Sequence, residues 1–179
     1  MPRLTKIYTR KGDKGHTTLR GQTMSKGDLL VETVGTIDEL NAVIGLITTQ
    51  ELNNIDIEHI FTRIQNDLFD FGGELHLPER VVITPEKITW LEITLDKWNA
   101  GLPSLQEFVL PAGNPASATT HIARTVCRRA ERCLVRLHDE SPLVNPEMLK
   151  YLNRLSDLLF VIARVLMRED NLPEIMWEH

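Results

Sequence analysis

Between His121 and Arg132 the chain places His121, Arg124, Arg128 and Glu131 at steps of three and four, with Arg129 and Arg132 beside them. On a helix that spacing lines the groups along one face. Guanidinium groups so arranged can grip a phosphate through paired N–H donors. The same stripe also describes a solvated helix surface, with Arg128 and Glu131 paired at (i, i+3) for roughly a few tenths of a kcal/mol. Taken alone, the helix favours the solvated reading. A second basic segment changes the balance. Near the N-terminus, Thr9-Arg10-Lys11-Gly12 is followed by Lys14, Gly15, Thr17, Thr18 and Lys26. Glycines allow close backbone approach while lysines, arginine and hydroxyls supply donors, which is the chemistry of a polyphosphate cradle. Base rates for an N-terminus favour a floppy arm, and both readings stand at this level.

The elements that must position these groups are helical. Asn114-Pro115 caps and opens the arginine helix, which runs to about Leu137 with Ile122, Val126, Cys133 and Leu137 as its apolar side. Thr36-Ile37-Asp38-Glu39 has the form of a capping box and predicts the start of a first helix, with Asp38 and Glu39 in the favoured acidic first turn. A second helix is expected from about Asp56 to Leu75, where Gly72 and Gly73 loosen the last turn or admit another backbone. Thr84-Pro85-Glu86 opens a third, and Gly101 and Pro103 end it. Asn145-Pro146-Glu147 opens a fifth, whose Leu152, Leu155, Leu159, Ile162 and Leu166 demand neighbours on several sides. Its Asn153, Arg154 and Asp157 read as a local ion pair, and Phe108, in the apolar loop before Asn114, reads as core.

Five helices with short connections, and at most a short strand at Thr5 to Tyr8, predict an all-α, up-and-down bundle. One domain is expected over residues 1–179, made of a basic glycine-rich loop (1–34) and a helical bundle (35–170). A net charge of -5 argues against nucleic acid or an anionic membrane as the partner. The longest apolar run, Leu158 to Ala163, is far short of the about 20 residues a membrane span needs. Without an apolar signal segment the expected location is cytoplasmic. Cys127 and Cys133 lie on different sides of one helix and read as reduced, buried thiols.

Stock motifs are missing: the sequence has no Gly-Lys dipeptide, no GxGxxG, no ExxH and no HExxH. That excludes the P-loop, the dinucleotide fingerprint and the usual di-iron and zinc helices. ExxE is absent too, which counts against an all-α nucleotide pyrophosphohydrolase. An adaptor bundle that binds ATP without chemistry remains an alternative.

Taken together, five segments resemble the PduO-type ATP:cob(I)alamin adenosyltransferases, also called corrinoid adenosyltransferases. They are Lys6-Ile-Tyr-Thr-Arg-Lys-Gly-Asp-Lys-Gly15, Val34-Gly-Thr-Ile-Asp-Glu-Leu-Asn41, Phe108-Val-Leu-Pro111, Ala123-Arg-Thr-Val-Cys-Arg-Arg-Ala-Glu-Arg132 and Tyr151-Leu-Asn-Arg-Leu-Ser-Asp-Leu-Leu-Phe160. The resemblance implies a cobalamin adenosyltransferase-like (ferritin-like) five-helix bundle with an N-terminal ATP-binding loop, assembled as a homotrimer with active sites between subunits. It implies transfer of the 5′-deoxyadenosyl group of ATP to the cobalt of cob(I)alamin, giving adenosylcobalamin and triphosphate, with Mg²⁺ assisting. By the same resemblance, ATP is bound by Thr9, Arg10, Lys11, Gly12, Thr17, Thr18, Lys26, Arg128, Arg129, Ala130, Glu131, Arg132 and Asn153. Asp38 pairs with Arg128, and Phe108 lies against the lower face of the corrin; these three form the expected catalytic set. The family usually has Thr or Ser at the position of Lys11, and often glycine at that of Ala112. A corrinoid reductase and an adenosylcobalamin-dependent enzyme are the further partners implied.

Overall fold

The computed structural model describes residues 7–141 and 143–178. Thr5 and Lys6, half of the expected N-terminal strand, lie outside them. A small hairpin, β1 (His16–Leu19) and β2 (Gln22–Ser25), precedes five helices: α1 (Leu29–Ile47), α2 (Ile55–His76), α3 (Pro85–Asn99), α4 (Pro115–Glu140) and α5 (Pro146–Glu169). Helix α4 packs between α1 and α5, α1 also meets α2, and α5 also meets α3. Side chains close the ring, since Arg63 stacks on Trp90 and Lys87 reaches Asp67 and Asp70 from α3. The pairs Glu32 with Arg136 and Glu39 with Arg129, and the pairs Asn114 with Leu166 and Glu131 with Asn153, show that α4 runs antiparallel to both neighbours. The pairs Ile83 with Asn145, Glu92 with Arg154 and Pro103 with Arg164 show that α3 and α5 run together. The bundle is therefore up-and-down.

Three helix starts follow the expected caps. Asn114 Oδ1 accepts from Ser117 N at 2.7 Å, and Asn145 Oδ1 accepts from Glu147 N at 3.0 Å. Each is followed by a proline whose missing N–H is not needed in the first turn. Pro85 opens α3 in the same way, although Thr84 makes no side-chain cap bond.

Helix α1 departs from expectation. It begins at Leu29, seven residues before Thr36, and its cap is Asp28, which accepts from Leu30 N at 2.9 Å. Thr36 is mid-helix, where its hydroxyl donates to Glu32 O at 2.8 Å. The capping-box pattern is coincidental, because Leu30 and Thr33 continue the buried face seen at Ile37, Leu40 and Ile44. Asp38 and Glu39 are thus well inside the helix and gain nothing from its positive end.

The hairpin is a further correction. Arg20 and Gly21 both have positive φ, 50° and 71°, which matches the two-residue turn that suits the twist of paired strands. Its inner residues Leu19 and Met24 pack on the core, and Arg20 Nε donates to Leu75 O at 2.9 Å. The leader is consequently docked on the end of α2. Among the described residues nothing lies within 4 Å of a Cβ added at Gly72 or Gly73.

The buried face of α4 is built from Ala116, Ala123, Val126, Cys127, Ala130, Cys133, Leu134 and Leu137, whereas Ile122 is 53% exposed. Small side chains there let α1 and α5 come close. Both cysteines are buried and free, and burial pushes the Cys127 thiol well up. Glu74 fastens the ends of three elements: it accepts from Val82 N (2.8 Å), Ile83 N (2.7 Å) and Asn145 Nδ2 (2.7 Å) while 2% exposed. Glu74→Ala leaves two backbone N–H groups without an acceptor, and should lower unfolding free energy by about 2–4 kcal/mol in urea titration. Glu74→Gln, which keeps an acceptor oxygen, should lose clearly less. Gly113 has φ 112° and touches the Met167 side chain, so Gly113→Ala is strained by backbone and contact alike. The expected loss is about 1–3 kcal/mol, read from the same titration.

Candidate active site

Two adjoining hollows lie on the α3–α4–α5 side of the bundle. The larger, about 590 Å³, is walled by Glu92, Asp96 and Asn99 of α3, Arg124 and Arg128 of α4, and Arg154, Asp157 and Phe160 of α5. The second, about 420 Å³, is formed by residues 105–109 of the loop before α4, together with Arg124 and Phe160. The two hollows adjoin at those two side chains and together make up the cleft.

Phe108 stands at the mouth of the second hollow, 76% exposed, not in the core. An apolar ring held in water by an ordered loop is unfavourable unless something covers it. On the wall, Arg124 is half-buried and its Nε donates to Nδ1 of buried His121 at 3.4 Å. Burial, and then the Arg124 charge, lower the His121 pKa, so the ring is neutral and able to accept that bond. Burial, and then the nearby Arg128 charge, lower the Arg124 pKa as well. Burial raises the Asp157 carboxyl, against the pull of Arg154 and Arg128. Arg154 in turn holds Glu92 at 2.8 Å and lies 3.8 Å from Asp157, so the expected ion pair is present and extends to α3.

The other candidates on α4 divide by face. Arg128 enters the cleft, while Arg129 pairs with Glu39 of α1. Glu131 accepts from Asn153 Nδ2 at 3.0 Å, bringing two expected nucleotide contacts together. Arg132 is exposed. Ala130 is fully buried, so its side chain cannot meet a ligand. Asp38 and Arg128 are both exposed and make no ion pair among the described residues. The guanidinium beside that part of α1 belongs to Arg129, with Glu39 as its partner.

In the leader, Lys26 N donates to Gly15 O at 2.8 Å, and an added Cβ on Gly12 would come within 3.0 Å of Lys26 Nζ. Lys26 therefore folds over the Gly12 turn. Thr9, Arg10, Lys11 and Thr18 are exposed and Thr17 is half-buried. This cluster docks where α2 ends and α1 begins. Phe108 sits at the opposite end of the bundle, between α3 and the start of α4, a helix of 26 residues and hence about 39 Å. One chain does not bring the leader and Phe108 together.

Arg154, Asp157 and Phe160 also line the cleft, beyond the ligand groups that the sequence points to, and Arg124 is pointed to only by the three-and-four spacing it shares with Arg128.

The family model described as cobalamin adenosyltransferase matches residues 7–166. The chain is 46% identical to a cobalamin adenosyltransferase of Cupriavidus metallidurans, over 98% of this chain and 96% of the relative. It is 41% identical to a corrinoid adenosyltransferase of Bacillus subtilis, over 97% and 92%. Among solved structures, it is similar to a single-residue variant of the PduO-type ATP:corrinoid adenosyltransferase from Lactobacillus reuteri, complexed with cobalamin and ATP. The TM-score is 0.91 at 32% identity, over 97% of this chain and all of the other. A match that runs from the basic leader through the arginine helix to the end of the bundle shows that this chain belongs to the cobalamin adenosyltransferase family, as a corrinoid adenosyltransferase of the PduO type.

Proposed function

We propose that the cleft beside Phe108 is where the chain moves the 5′-deoxyadenosyl group of ATP onto the cobalt of cob(I)alamin, releasing triphosphate. The observation that carries this reading is the exposed Phe108 ring at the mouth of a cleft walled by Arg124 and Arg128. Co(I) is itself the nucleophile at the 5′ carbon, so the protein contributes orientation and electrostatics. Phe108 covers the lower face of the corrin and excludes an axial ligand, which leaves cobalt four-coordinate and easier to reduce. Arg128, Arg129 and Arg132, with the leader's Thr9, Arg10, Lys11, Gly12, Thr17, Thr18 and Lys26, hold the triphosphate. Because these cations are placed beforehand, charge that grows on the leaving group meets them without reorganisation. Glu131 and Asn153, already bonded to each other, bound the nucleotide on the α5 side.

The active unit is a homotrimer in which the leader of one subunit serves the cleft of another. Support comes from the opposite placement of leader and Phe108 within a chain, and from Asp38 and Arg128, both exposed and without an ion pair among the described residues, which are free to pair across that boundary. Among the described residues no group of three or more His, Cys, Asp or Glu side chains could hold a metal ion. Mg²⁺, when bound with the nucleotide, would neutralise charge on its phosphates beside Arg128 and Arg132. No helix among the described residues is long and apolar enough to cross a membrane, and the proposed setting is cytoplasmic, with a reductase supplying Co(I) and an adenosylcobalamin-dependent enzyme taking the product.

Single-turnover conversion of cob(I)alamin to adenosylcobalamin with Mg-ATP tests the reaction. ATP binding without product would instead support a nucleotide-binding adaptor. Phe108→Ala should cut the rate by about 100-fold or more while ATP affinity is kept. Arg132→Ala should weaken ATP binding by about tenfold or more, the value of a lost charged hydrogen bond. Equal damage to both properties in both variants would contradict this division of roles. For the subunit pair, Asp38→Arg should break the trimer in sedimentation, and adding Arg128→Asp should restore it. A single variant that stays trimeric and active would remove the pair.

A further inference from the structure

Residues 170–178 follow α5 and lie beyond the family match, which ends at 166. Asn171, at φ 56°, reverses the chain in the left-handed conformation common just after a helix. The tail then runs beside the loop that carries Phe108. Leu110 N donates to Ile175 O and Trp177 N donates to Phe108 O, each at 2.8 Å, with Val109 opposite Met176 in antiparallel register. The Trp177 ring meets Phe108 edge-on, with centroids 6.3 Å apart and planes at 64°.

What holds this two-strand ribbon is one buried arginine. Arg164 of α5 is 4% exposed. Its Nε lies 2.5 Å from Glu174 Oε1, and its terminal nitrogen donates both to Glu174 Oε2 at 3.1 Å and to Pro103 O at 2.8 Å. A single guanidinium thus fixes the tail at Glu174 and the Phe108 loop at Pro103, and the ribbon joins the two at Phe108 itself. An isolated pair of short strands is marginal in water, so this one needs such an anchor.

We infer that Arg164, Glu174 and Trp177 are positioning residues for the corrinoid, a latch that sets the height and tilt of the Phe108 ring against the lower face of the substrate. The inference rests on the proposed role of Phe108. Its effect falls on cobalt coordination rather than on ATP, because the tail sits at the end of the bundle away from the leader.

The test uses the full-length enzyme, its Trp177→Ala, Trp177→Phe and Glu174→Gln variants, and a chain ending at Pro173. Electron paramagnetic resonance of bound cob(II)alamin with Mg-ATP reads the four-coordinate fraction, alongside kcat, KM for ATP and thermal midpoint. In Trp177→Ala and the shortened chain the four-coordinate fraction should fall and kcat drop by about tenfold or more, with KM for ATP held within about twofold. Trp177→Phe should restore most of the signal, and Glu174→Gln should resemble the shortened chain. Wild-type coordination and kcat in both Trp177→Ala and the shortened chain would overturn the inference, as would KM for ATP rising in step with the loss of kcat. A wild-type enzyme that yields neither the four-coordinate signal nor adenosylcobalamin would overturn the transfer reading itself.

Discussion

Close approach of α4 to its two neighbours is the constraint on which the site depends. Ala116, Ala123, Cys127 and Ala130 form the inward seam, and none of them is more than 5% exposed. Large side chains on that seam would push α1 and α5 away and open voids a well-packed core does not tolerate. With the seam narrow, the rest of the helix circumference is free for charge. Arg124 and Arg128 can then reach over the α3–α5 side while Arg129 is held by Glu39 on the α1 side. The apolar side of α4 fixes where its cations stand.

Distribution of the remaining groups follows from the alternation of helix directions. Odd-numbered helices start at one end of the bundle and even-numbered helices at the other, so the leader before α1 and the loop before α4 are at opposite ends. A nucleotide that must touch both cannot do so inside one chain. In the proposed trimer a second copy solves this without a longer leader, while the exposed Phe108 ring stays open to the corrinoid that is to cover it. Asp38, without an ion-pair partner among the described residues, is accommodated by the same arrangement.

Helix starts were legible where a single residue decides them. Asn114-Pro115 and Asn145-Pro146 satisfy orphan N–H groups locally, and no distant contact can change that. At Thr36 the same local logic misled, since a Thr-x-x-Glu pattern in mid-helix is indistinguishable by spacing from a true start. Only the tertiary burial of Leu30 and Thr33 selects Asp28. The hairpin is barely legible because four-residue strands carry almost no periodic signal and the Arg20-Gly21 turn is the main clue. Phe108 and Ala130 show the limit for site residues. Side-chain polarity predicts the core on average, but the exposed phenylalanine is fixed by backbone pairing with residues nearly seventy positions away, which no local window contains.

Arg164 is the least expected residue in that respect, lying in the most apolar stretch of α5. A buried ion pair gives up two hydration shells, and a well-packed apolar pair of similar volume is commonly as stable or more so. Stability alone therefore does not explain a guanidinium here. Geometry does: a leucine could fill the space, but it could not hold a carboxylate and a carbonyl from two separate strands in one plane. Two forked bonds to Glu174 and one to Pro103 set direction as well as distance. The desolvation cost is then a consequence of specifying where the Phe108 ribbon lies, and the position of that exposed aromatic ring is a quantity that hydrophobic packing, being non-directional, does not fix.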